Sequence, residues 1–325
     1  MVRQEAQAPR QAQRHILGIG HPGGASPLAS AAMLLLTGAT GSVGSRLLPQ
    51  LLERGEDVRC LVREPRRLGE RRVDVQIALG DLGEMSDPYL VRQALRGVDT
   101  VVHLAATIRD QPPHRIEELN GLATVRLLRA AERSGVGRFV FFSALNSSTA
   151  QRTRFFRAKW LAERAVTSSP LATTVFAPSI VYDRSDPWVT LLRRFSFLPV
   201  MPVSGEGIAR FEPIWAQDAA RCVVEALARG DRSRYELAGP EVLSYDEMSD
   251  LVSRIAGRPR PLLHLPLALV RAGLISLRSL FGEAVFATWE EAELMEVPML
   301  SERGSADAES LGVVPRRMEE VLSSS

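Results

Sequence analysis

Hydrophobic and polar positions along this chain alternate between two periods. Met33–Leu36, Asp57–Val62, Val73–Leu79, Thr100–His103, Arg138–Phe142 and Thr173–Ala177 are short and rich in β-branched or aliphatic residues, and each predicts a strand. Between them, Arg46–Leu52, Pro88–Arg96, Ile116–Ser134 and Phe155–Thr167 place apolar residues at helical spacing. In the third of these, Leu119, Leu122, Ala123, Val125, Leu127, Leu128 and Ala131 supply the apolar face. Strand and helix in strict alternation predict an α/β fold, a parallel sheet with helices on both faces. Ligands of such sheets bind outside the carboxyl ends of the strands.

Past Pro178 the rhythm changes. Tyr182–Phe197 and the Gly/Pro-containing Pro199–Gly207 read as a lid and loops, Trp215–Arg229 as a helix and Tyr235–Leu237 as a short strand. Tyr245–Ile255 is a helix behind Ser244, with Glu247 where a capping box requires it. Leu267–Phe281 is helical and strongly apolar, with Arg271 and Arg278 one heptad apart; its apolar circumference predicts docking against the cap or another subunit, with a membrane surface as the alternative. Ala306–Leu322 forms a helical pair around Gly312 and Pro315. Residues 33–180 therefore read as one domain and 181–325 as a smaller C-terminal α/β cap, some of whose segments return to the first domain. Residues 1–32 have no apolar periodicity and no contiguous apolar core for a signal peptide; they read as a disordered tail, after which Met33 can serve as an initiator.

The junction of the first strand and helix carries the most specific chemistry. Thr37-Gly38-Ala39-Thr40-Gly41-Ser42-Val43-Gly44 is a glycine-rich turn between a strand and a helix, the arrangement that cradles a dinucleotide. Gly38 reverses the chain, Gly41 lets backbone N–H groups approach a pyrophosphate, and Gly44 permits close packing of helix on strand. The helix N-terminus adds partial positive charge, and Thr40, Ser42 and Val43 complete the predicted contacts. The fold so described is a Rossmann-type doubly wound sheet.

Composition narrows the function. A net charge of +2 with both signs interspersed gives no nucleic-acid footprint. Two cysteines, Cys60 and Cys222, each in an apolar run, indicate buried thiols and a reduced compartment, and the five histidines have no metal-ligating spacing. The expected location is cytoplasmic, or peripheral at the inner face of a membrane. Of 40 basic residues a single one, Lys159, is lysine, so that position calls for a compact ammonium which arginine cannot replace.

Cofactor choice is read after the second strand. An acid there would take a ribose 2′-hydroxyl, but this chain has Arg63, with Arg66 and Arg67 nearby; NADP(H) is expected, with NAD(H) as the alternative. Asp81 either accepts from the adenine amino group or holds a turn, and Leu82 follows it. Leu104, Ala105 and Ala106 offer small residues where the cofactor crosses the sheet. His103 reads as a packed strand residue. Ser143 ends the fifth strand and faces the same crevice, with Asn146 and Ser147 as competitors.

TGATGSVG, LVREP, GDL, VVHLAA, RFVFFSA and AKWLAE together resemble the short-chain dehydrogenase/reductase superfamily. Within it the chain is similar to atypical NAD(P)-binding members: the nucleotide-binding accessory subunit of complex I, and the NmrA-like and isoflavone-reductase-like proteins. The resemblance covers about residues 33–240, and more loosely DAESLGVVPRRMEEVL at the end. It implies a Tyr-x-x-x-Lys pair in which lysine binds the nicotinamide ribose and tyrosine passes a proton. Here the stretch is Phe155-Phe156-Arg157-Ala158-Lys159, with no phenol to give a proton. The resemblance also implies that Pro178-Ser179-Ile180-Val181 packs on the nicotinamide, Pro178 and Val181 being its contacts. Two functions follow as expectations: a reductase of an apolar enone- or quinone-like substrate using Lys159 and Ser143, or a nucleotide-binding subunit or sensor without turnover. Tyr182 is a candidate for the lost phenol or a pocket wall.

Overall fold

The computed structural model describes residues 32–81, 83, 87–230, 233–281 and 288–324, all within a single compact unit. The tail read over residues 1–32 lies, but for Ala32, outside the described residues, as does Leu82 as a contact.

Seven parallel strands form the central sheet in the order β11-β6-β5-β4-β1-β2-β3. They are β1 (Met33–Thr37), β2 (Asp57–Val62), β3 (Gln76–Leu79), β4 (Val98–His103), β5 (Arg138–Phe142), β6 (Ala172–Pro178) and β11 (Ser233–Leu237). Strand order reverses between β1 and β4, which pair directly, so the switch point lies beside the glycine turn. Alternation of side chains divides the core in two. Leu34 and Leu36 join Cys60, Val102, Val140 and Phe176 on one face, beneath α1 (Ser42–Glu53) and α6 (Ala216–Arg229). Leu35 joins Leu61, Val101, Phe139 and Val175 on the other, beneath α2 (Pro88–Leu95), α3 (Ala123–Arg133) and α4 (Arg154–Thr167). Each fully buried leucine contributes roughly 1.5–3 kcal/mol. Both cysteines are free and buried in the first face, where desolvation pushes each thiol up to about 12.

A third core belongs to the C-terminal cap. Here β8 (Met201–Ser204) pairs with β13 (Leu262–Leu265), and α5 (Pro187–Phe195), α7 (Tyr245–Ile255), α9 (Trp289–Leu294) and α11 (Met318–Ser323) surround Phe211, Met248 and Val252. The capping box at Ser244 and Glu247 is present. From the same half of the chain, α6, β11 and α10 (Ala306–Ser310) return to the Rossmann sheet.

Two expectations need correction and two are refined. The third strand begins at Gln76, because Pro65–Val73 winds as a 3-10 turn that leaves Val73 80 % exposed. The helix expected from Ile116 starts there, and it carries a π-helical turn over Glu118–Leu122. Tyr182–Phe197 is not loop: it holds β7 (Val181–Tyr182) and α5, started by Pro187 behind Asp186, whose carboxylate accepts from the Val189 N–H. Finally, α8 (Leu267–Phe281) is helical as expected and packs against α9, with Arg271 5.3 Å from the Trp289 ring centroid, but no described residue of it is fully buried.

Candidate functional site

The turn after β1 is tight for reasons the local sequence supplies. Gly38 has φ +75°, and a Cβ there would stand 2.6 Å from the Ala105 backbone nitrogen. A Cβ on Gly44 would lie 2.1 Å from the Gly38 carbonyl oxygen. Gly41 differs: its Cβ would meet no protein atom nearer than 3.4 Å, so no protein neighbour excludes a side chain there. The space beside Gly41, at the N-terminus of an α1 that no side chain caps, fits a phosphate held by backbone N–H groups.

A cleft of about 270 Å3 opens at this point. Of the predicted contacts, Gly38, Thr40, Gly41, Arg63, Asp81, Leu104, Ala105 and Ala106 line it, and the structure adds Arg67, Thr107 and Gln111. Arg63 donates to Gln111 Oε1 at 2.8 Å and to Asp81 Oδ2 at 3.3 Å. The other oxygen of Asp81 accepts the Gly83 N–H at 2.8 Å, so this carboxylate holds a turn as well as an arginine. Ser42, Val43 and Gly44 lie in α1 behind the wall.

The floor is set by a hydrogen-bond chain that sequence reasoning missed apart from placing His103 in a strand. Thr124 donates to the Asn120 carbonyl (2.8 Å), so its hydroxyl accepts from His103 Nε2 (2.9 Å), leaving Nδ1 to accept from Thr37 (2.7 Å). Burial and the neighbouring Lys159 charge push His103 down to about 3, keeping the ring neutral. Asn120 in turn clasps Thr107, donating to its carbonyl and accepting its N–H. This chain fixes the β4 loop against the glycine turn. The polar residues were legible singly, but their pairing across 66 positions was not.

Lys159 and Ser143 stand outside the cleft wall. Lys159 is 2 % exposed; its Nζ donates to the Phe142 carbonyl at 2.6 Å and lies 5.0 Å from the Phe141 ring centroid and 5.8 Å from that of Phe155. Desolvation pulls it down to about 7, against the opposing charge of Glu163. Ser143 does not offer its hydroxyl to the crevice, because it donates to Glu163, which also accepts from Arg234 at 2.8 Å. Asn146 donates to the Pro298 carbonyl and Ser147 to that of Ala144. Pro178 ends β6 with its carbonyl accepting the Leu145 N–H at 2.9 Å, and Val181 is partly buried in β7. Tyr182 is wholly buried in the cap core, its phenol pushed up by burial and nearby acids, so it neither lines the cleft nor replaces the lost phenol.

Opposite this region the cap reaches the Rossmann domain. Glu291 of α9 accepts from Arg109 in the loop after β4, while Arg154 at the start of α4 holds Asp110 and Glu117. Hydrogen bonds from Arg154 hold Glu117 below its ordinary range.

Sheet order, switch point and glycine turn define a Rossmann protein with a dinucleotide cleft. The chain belongs to the NAD(P)H-binding family, whose model matches residues 38–211. It is 30 % identical over 231–232 residues to relatives that include an NAD(P)H azoreductase of Xenophilus azovorans, covering 70 % of this chain and 75 % of that one. It is 28 % identical to NADH dehydrogenase [ubiquinone] 1 alpha subcomplex subunit 9, mitochondrial, of Arabidopsis thaliana, over 72 % of this chain and 61 % of that protein's length. Among solved structures, a nucleoside-diphosphate-sugar epimerase from Staphylococcus aureus superposes with TM-score 0.70 at 20 % identity, over 90 % of this chain and 99 % of that one, a likeness of fold.

Proposed function

We propose that this protein is an NADP(H)-preferring reductase of apolar, enone- or quinone-like substrates, with Lys159 as its proton source. The observation that carries the reading is Lys159 itself: the chain's single lysine, buried at the carboxyl end of β5 and pulled down to about 7. When bound, the nicotinamide supplies a hydride. An ammonium with that acidity holds a proton at neutral pH and gives it up readily, which suits a substrate whose oxygen gains negative charge as carbon is reduced. His103 cannot share that work, since it stays neutral between two threonines. Arg63 and Arg67 on the cleft wall favour a 2′-phosphate, and NAD(H) is the weaker-binding alternative. The similarity to an enzyme named as an NAD(P)H azoreductase supports a reductase.

Three observations favour a second reading, nucleotide binding without turnover. Phe155 stands in the tyrosine position, Ser143 is taken by Glu163, and Lys159 by a main-chain carbonyl. Similarity to a named subunit of a respiratory complex agrees with it. Single-turnover absorbance of NADPH on the pure protein, challenged with quinones and enones, separates the two. Oxidation that Lys159→Arg abolishes while NADPH still binds supports the reductase. Tight binding with no oxidation across the panel supports the second reading.

A further inference from the structure

We propose that α8 and the adjoining β8–β13 edge form a docking surface for an anionic lipid bilayer. An apolar helix is ordinarily covered, yet Leu269 is 65 % and Ile275 53 % exposed. Leu263 on β13 and the Phe197–Leu198 turn extend the exposed apolar surface, and that turn is tied to the segment before β13. Arg258 stacks 4.0 Å from the Phe197 ring centroid, and Arg260 donates to the Ser196 carbonyl at 3.0 Å.

Charge selects the occupant. From Ala256 to Phe281 the sequence contains Arg258, Arg260, Arg271 and Arg278 and no acid. Glu206, Glu296 and Asp246 beside His264 gather near the amino end of α8, where a helix favours negative charge, and Glu290, Glu291 and Glu293 belong to α9 behind it. Apolar side chains among arginines, with Arg271 held over the Trp289 ring of α9 at 5.3 Å, complement the acyl boundary and anionic headgroups of a bilayer. A two-fold copy would set these arginines against their own counterparts. Crossing the bilayer is not in question: α8 has 15 residues, about 22 Å of helix, against a hydrocarbon core of about 30 Å. The proposal stands whichever function the nucleotide site performs.

Vesicle flotation of the full 325-residue chain tests it, comparing phosphatidylcholine alone with phosphatidylcholine containing phosphatidylglycerol, at low and high ionic strength. The expected result is flotation with the anionic vesicles, weakened by salt and reduced about tenfold or more by Leu269→Glu or Ile275→Glu. Val314→Glu, at an exposed position elsewhere, leaves it unchanged. Since these side chains are exposed, the melting curves of all three variants should match the parent. Absence of flotation overturns the proposal. So does a dimer in sedimentation equilibrium that Ile275→Glu dissociates, which would assign the surface to a second copy. Equal flotation with neutral vesicles would overturn its electrostatic basis.

Discussion

Arg109 and Glu291, 182 positions apart, are joined by two hydrogen bonds of 3.0 and 2.5 Å to one carboxylate oxygen. The other oxygen accepts the Thr288 N–H at 2.9 Å, at the start of α9. One side chain therefore starts a cap helix and fastens it to the loop after β4, whose first residues line the nucleotide cleft. The pair is partly exposed, so screening leaves it about 1 kcal/mol or less. Glu291→Gln keeps the capping geometry and removes the charge. It should lower Tm by about 2 °C or less at low salt and speed amide exchange in residues 107–115. Unchanged exchange there would mean that α9 does not restrain the loop.

The glycines of the first turn should separate fold from binding. Gly44→Ala pushes a methyl group into the Gly38 carbonyl and should cost roughly 1–3 kcal/mol in a denaturant titration. Gly41→Ala meets no protein atom closer than 3.4 Å, so stability should hold to within about 0.5 kcal/mol. Dinucleotide affinity, by contrast, should fall about tenfold or more, because the methyl group occupies the phosphate approach. Undiminished affinity in Gly41→Ala would place the pyrophosphate elsewhere.

Arg63 tests cofactor choice. Its guanidinium is half-exposed and shared between Asp81 and Gln111, leaving donors for a 2′-phosphate. Arg63→Ala should weaken NADPH binding about tenfold and NADH binding much less, by calorimetric titration. Equal losses for the two nucleotides would remove Arg63 from the 2′-phosphate site.

Lys159 makes stability depend on pH in a calculable direction. The folded state holds its ammonium near 7, below the unfolded value of about 10.4, so between these limits the unfolded chain binds more protons. The penalty for charging this buried group is therefore complete below about 7, shrinks as pH rises, and is gone above about 10.4. Relative to Lys159→Met, the parent should gain up to a few kcal/mol between pH 6.5 and 9.5 in parallel urea titrations. A flat difference would show that the ammonium is solvated. In the reductase reading, the proton-dependent single-turnover rate should fall as pH rises through about 7.

Much of this protein was determined by the sequence alone, wherever the physics is local. The β1–turn–α1 unit is legible because three glycines within seven positions meet steric demands made largely by the same segment. The Ser244 and Glu247 cap is legible because both partners lie within one helical turn. Asp186-Pro187 is an equally local start signal, hidden in the sequence by the lid-like pattern of the stretch around it.

Tertiary structure decided what depends on pairing across long separations. Nothing near Ser143 in sequence announces that its hydroxyl will donate to Glu163, and nothing near Arg109 announces Glu291. The pairing of β8 with β13 falls in the same class, since short strands of mixed burial have no period strong enough to read. The same apolar pattern predicts an α8 docked on the cap or on another subunit, or one lying on a membrane; the packed chain sets it against α9 while leaving Leu269 and Ile275 exposed. A sequence records which side chains are available and at what local spacing, while the partner each one meets is set by how the layers close on one another.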